Sequence, residues 1–105
     1  MLFRSGPIHI ERAQGCLTVR QAAHEILTTN LPGRLSHVRL EEGYVSLQLP
    51  ASVPPGSAIT LSCVIGRTLV LARVDELDVQ CTKEGVFALP AGSSASPRTF
   101  LVVYR

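Results

Sequence analysis

Between residues 58 and 81 the chain reads AITLSCVIGRTLVLARVDELDVQC, two apolar, β-branched runs on either side of Gly66-Arg67. No other stretch carries so long an ordered apolar signal, and any fold the chain adopts must bury it. In the first run Ile59, Leu61, Cys63 and Ile65 fall on one side of an extended chain. Ala58, Thr60, Ser62 and Val64 fall on the other, the pattern of a half-buried strand. In the second run Leu69, Leu71, Leu77, Val79 and Cys81 continue one face, while Val70, Ala72 and Val74 are apolar on the opposite one. The two runs read as the arms of one hairpin. Arg73 and Asp75 interrupt the second arm, as a strand passing a rim would, or a bulge near Asp75-Glu76 that resets the register.

Five more segments read as strands. Residues 8–12 form a short strand closed by Gln14-Gly15. Residues 37–40 and 44–49 make the clearest hairpin, turning at Glu41-Glu42-Gly43. Val38, Leu40, Val45, Leu47 and Leu49 share its buried face, and Tyr44, Ser46 and Gln48 point away. Residues 86–89 are a short strand. Residues 99–104, TFLVVY, are apolar on both faces, as in a strand that is central or covered on both sides. The segments PASVPPGS (50–57) and PAGSSASP (90–97) are loops rich in Pro, Gly and Ser.

One segment carries the helical period. Thr18 and Gln21 stand at capping-box spacing. Val19, Ala22, Ala23, Ile26, Leu27 and Leu31 then form a single apolar stripe, and Asn30 with Pro32-Gly33 supplies a stop. The expectation is an α+β fold: one amphipathic helix over about residues 18–31, packed on a curved, mostly antiparallel sheet of six or seven strands. The alternative is a small closed β-barrel plugged by that helix. At 105 residues the chain is read as one domain, residues 1–105.

Composition narrows the function classes. Ten basic and eight acidic residues leave a net charge of +2, too balanced to predict nucleic-acid binding. Nine of the ten basic residues are Arg, but they are scattered along the chain. A charged fraction of only 17% leaves too little polar surface to cover the molecule, so an apolar patch or a covered interface is expected. The N-terminal residues carry no signal-like apolar core and no run reaches membrane-helix length, so the chain is read as soluble and cytoplasmic. Three cysteines, an odd and sparse set, fit reduced thiols better than a disulfide framework.

No catalytic constellation is legible. His9, His24 and His37 sit in separate elements on polar faces, without metal-ligand spacing. The sequence therefore predicts no metal, no cofactor and no catalytic residue. Cys63 and Cys81 read as buried apolar positions. Cys16, just before the expected helix, is the candidate reactive thiol, because a helix dipole would favour its thiolate. Arg73 and Asp75, opposite charges on an apolar face, together with Tyr44 and Arg39, are the candidate ligand-binding residues. The leading expectation is a non-enzymatic interaction module that self-associates through an apolar sheet surface or binds another protein. Its alternatives are a carrier of a small apolar ligand between helix and sheet, and a small enzyme with an unrecognised site.

Overall fold

The computed structural model describes residues 8–22, 24–93 and 96–105. Its strands are β1 (Ile8–Ala13), β2 (Cys16–Gln21), β3 (His24–Thr29), β4 (Ser36–Glu41), β5 (Tyr44–Gln48), β6 (Ser52–Val53), β7 (Ala58–Leu61), β8 (Leu69–Val74), β9 (Leu77–Asp78), β10 (Val86–Ala88), β11 (Gly92–Ser93) and β12 (Thr99–Tyr104). They form two five-stranded sheets, β1-β2-β3-β7-β10 (sheet I) and β4-β5-β12-β8-β9 (sheet II), with β6 and β11 as a small third pair. Every pairing is antiparallel.

The two sheets share one core. Leu17, Val19, Leu27, Ile59, Leu61 and Phe87 come from sheet I; Leu40, Val45, Leu47, Val74, Phe100 and Val102 come from sheet II. Phe87 meets Phe100 edge to face, with ring centroids 5.5 Å apart and planes at 80°. This is a β-sandwich, in which alternate residues of each strand enter the space between the sheets.

The amphipathic helix over 18–31 does not exist, and the α+β assignment is corrected with it. The segment is the β2–β3 hairpin, and the only helical piece among the described residues is a 3-10 turn, Ser62–Val64. Leu17, Val19 and Gln21 are buried on β2, and Leu27 and Thr29 on β3, a period of two. The apparent helical stripe arises because the hairpin reverses at its midpoint: Gln21 pairs with His24, and Ala22 takes φ 52° in the turn. A register shift beside Val19 leaves Ile26 as the extra residue of a bulge. Thr29, buried among apolar neighbours, is satisfied because its hydroxyl donates to Ala58 O (2.6 Å) and accepts from the Leu31 N–H (3.2 Å).

The left-handed turn gives a discriminating test. In a helix, Ala22→Gly would cost about 1 kcal/mol. Here alanine itself carries the left-handed penalty of roughly 1 kcal/mol, so Ala22→Gly is expected to leave stability unchanged or raise the melting midpoint by a few degrees, measured by thermal circular dichroism.

The single curved sheet and the helix-plugged barrel are corrected too. Among the described residues the two five-stranded sheets are open, with four edge strands between them, and no helix packs on a sheet to enclose a ligand. Nor are the arms flanking Gly66-Arg67 a hairpin: β7 lies in sheet I and β8 in sheet II, and the 3-10 turn carries the chain across. The interruption after Arg73 is neither a rim nor a bulge but a tight turn, with Asp75 at φ 52°, leading into β9. By contrast, the 37–49 hairpin forms with Leu40, Val45, Leu47 and Leu49 buried, although a register shift between Ser36 and Arg39 leaves Val38, expected on the same face, only partly buried.

Candidate functional site

Strand order places three of the four expected ligand-binding residues on one surface, the outer face of sheet II. Reading across the strands, Arg39 pairs with Ser46, Ser46 with Leu101, Leu101 with Arg73 and Arg73 with Asp78. The neighbouring row runs Glu41, Tyr44, Val103 and Leu71. Residues directly opposite in a sheet share a face, and the intervening row, Leu40, Val45, Val102 and Ala72, is buried against sheet I. Tyr44, Leu71, Leu101 and Val103 are therefore a contiguous, half-buried apolar centre. This resolves why TFLVVY is apolar on both sides: Phe100, Val102 and Tyr104 enter the core, and Leu101 and Val103 form the outer patch.

Charges frame that centre in pairs. Arg39 Nη2 lies 3.3 Å from Glu41 Oε2, and Arg73 Nε lies 3.4 Å from Asp78 Oδ1. All four side chains are exposed, so each pair adds little stability. Their effect is to leave the rim of the face without net charge. Asp75 does not join the surface. Its carboxylate accepts from the Thr99 N–H (2.9 Å), and its own N–H donates to Thr99 O (2.9 Å). It pins the β8–β9 turn to the start of β12.

A cleft of about 450 Å³ opens at one end of the sandwich, lined by His24, Glu25, Glu42, Cys63, Arg67 and Tyr104 among others. No sequence signal marks it, since its residues come from four separate segments. Arg67 stacks over the Tyr104 ring at 5.2 Å, and its Nε donates to Arg105 O (2.8 Å). Burial pushes the Cys63 thiol up, with partial relief from the Tyr104 hydroxyl. Burial first, and then Cys63, push Tyr104 up to about 12. Both groups are thus protonated at neutral pH. A thiol raised in this way is a poor nucleophile. Cys81 is raised by burial as well. Cys16 is exposed at the start of β2; with no helix following it, the dipole argument for its activation has no structural basis.

Among the described residues no group of three or more His, Cys, Asp or Glu is placed to hold a metal ion. Among the same residues, no helix is long and apolar enough to cross a membrane. No family model, no curated protein and no solved structure matches the chain.

Proposed function

We propose that this protein is a non-enzymatic interaction module that self-associates through the outer face of sheet II. The observation that carries the reading is the apolar centre of Tyr44, Leu71, Leu101 and Val103 inside a rim of Arg39–Glu41 and Arg73–Asp78 pairs. An apolar core with a polar rim is the general anatomy of a protein interface. A second copy is the favoured occupant because a rim of internally paired charges presents no excess of either sign to itself, so two copies meet without like-charge repulsion. Five strands at about 4.8 Å spacing and six residues at about 3.3 Å rise give a face of roughly 24 by 20 Å. That is about 480 Å² per copy, smaller than the ~800 Å² per partner of a standard specific interface, so a weak, micromolar or higher Kd is expected.

Size-exclusion chromatography with light scattering tests this. The wild-type mass is expected to rise with concentration through the micromolar range, and Val103→Glu to abolish the part of that rise due to this face. Val103 is half-exposed, so the substitution leaves the core intact, which circular dichroism checks. A folded Val103→Glu protein with the wild-type mass at every concentration overturns the proposal.

A further inference from the structure

The sandwich has four edge strands: β1 and β10 in sheet I, β4 and β9 in sheet II. An open edge invites pairing with another chain, and proteins that avoid this shorten, bulge, charge or cover their edges. Three of the four are protected in those ways. β9 has two residues. β10 has three, and Cys81 bridges to Phe87 along its outer side. β4 is broken by a register shift between Ser36 and Arg39, with His37 at φ 53°.

β1 is neither short, bulged nor covered by another strand, and its two charged residues, Glu11 and Arg12, are already engaged within the chain. Its six residues, IHIERA, pair with β2 without a register shift and contain no Pro, Gly or Lys. It is also held rigidly in place. Arg12 Nη2 donates to Leu31 O (2.7 Å) and Gly33 O (2.8 Å), and Glu11 forms an ion pair with Arg20 on β2.

The inner face of β1 is unfinished as well. Ile8 pairs with Gln21 and Ile10 with Val19, so both isoleucines lie on the side of sheet I that faces the core. Gln21 and Val19 are buried, at 6% and 0% exposure, whereas Ile8 and Ile10 are 36% and 46% exposed. Sheet I therefore extends one strand beyond the cover that sheet II provides. Among the described residues no strand pairs with the outer edge of β1.

We infer that β1 pairs antiparallel with β1 of a second copy of this chain, joining two copies of sheet I into one continuous ten-stranded sheet. This surface is separate from the outer face of sheet II, and the inference does not rest on that reading. Keeping both inner faces on the same side requires residues of like parity to face each other. Of such registers, centring on Glu11 sets two carboxylates opposite each other, and centring on His9 sets two imidazoles opposite. Centring on Ile10 avoids both. It places Ile10 opposite its own copy, Ile8 opposite the partner's Arg12, and His9 opposite the partner's Glu11, twice by symmetry. An imidazole N–H can donate to the carboxylate opposite it, whereas two carboxylates opposite each other repel, so the sequence IHIER favours the register centred on Ile10.

Light scattering on wild type, Ile10→Lys, Val103→Glu and the double variant separates the two surfaces. Ile10→Lys adds an edge lysine at an exposed position, and is expected to abolish the part of the mass increase due to edge pairing. Val103→Glu alone is expected to leave the β1-paired dimer, and the double variant to be a monomer. A mass unchanged by Ile10→Lys but lowered by Val103→Glu overturns edge pairing and leaves the sheet II reading standing; the reverse result removes only the latter. His9→Glu and His9→Lys test the register on an exposed side chain that cannot threaten the fold. The first sets carboxylates opposite one another and is expected to weaken the dimer about tenfold, while the second retains it. Equal dimerisation of the two His9 variants overturns the register.

Discussion

Phe87→Ala is expected to destabilise the protein by about 3–5 kcal/mol, lowering the thermal midpoint by roughly 15–30 °C. Phe87 is 0% exposed in β10 and Phe100 is 0% exposed in β12, and their edge-to-face contact spans the two sheets. Tyrosines 44 and 104 lie on the outer face and at the end of the sandwich, so these rings are the only aromatic pair at its centre among the described residues. Truncating one leaves a cavity that two hydrogen-bonded sheets cannot collapse to fill. Because β10 is only three residues long, packing rather than the strand ladder must hold it. Equilibrium unfolding by circular dichroism gives the loss directly. A double-mutant cycle with Phe100→Leu is expected to show a coupling of about 1 kcal/mol beyond the separate losses. A midpoint only a few degrees below wild type would mean that the sheets are not locked together through these rings.

The pattern of failures in the sequence reading follows from which information is local. The 37–49 hairpin is legible because its turn, Glu41-Glu42-Gly43, and its alternation lie in one short stretch, and this already brings Arg39 and Tyr44 near each other. Arg73 joins them only because β12 lies between β5 and β8, a pairing over more than fifty residues of chain that no periodicity records. The false helix has a different cause. Residues 18–31 satisfy a 3.6-residue period with Val19, Ala22, Ala23, Ile26, Leu27 and Leu31, and they contain good helix formers. Thr18, Val19, Ile26, Thr28 and Thr29 are β-branched, however, and favour a pleated surface. The chain reverses at Ala22 without a glycine or proline to mark the turn, so a period of two on each side was disguised as one helical stripe. Pairing of β2 with β1 and of β3 with β7 then outweighs a propensity difference of tenths of a kcal/mol per residue. Ile8 and Ile10 were read correctly as one side of a short strand. Their exposure was invisible, because it depends on how far the opposite sheet reaches.

Gly85→Ala is expected to cost about 3 kcal/mol, and a comparison with Gly56→Ala separates its two causes. Both glycines have left-handed backbones, φ 81° at Gly85 and φ 84° at Gly56, so each alanine meets the same conformational penalty of roughly 1 kcal/mol. A Cβ at Gly56 would have nothing within 4 Å. At Gly85 it would stand 2.4 Å from Leu61 O and 3.2 Å from Ile65 Cγ1. The first of these is backbone and cannot swing aside. The Gly85 carbonyl accepts from the Leu61 N–H (2.9 Å), and its own N–H donates to Thr82 O (3.0 Å), so moving either residue strains a hydrogen bond. Leu61 is the last residue of β7, where the chain leaves sheet I for the 3-10 turn that leads to Arg67 and the end cleft. A shift there disturbs the crossing between the sheets as well as the turn. Thermal unfolding is expected to place Gly56→Ala about 4–8 °C below wild type and Gly85→Ala roughly 12–20 °C below. Equal losses at the two positions would show that the Thr82–Gly85 turn does not seat against β7, and that the sheets are joined at this end by some other contact.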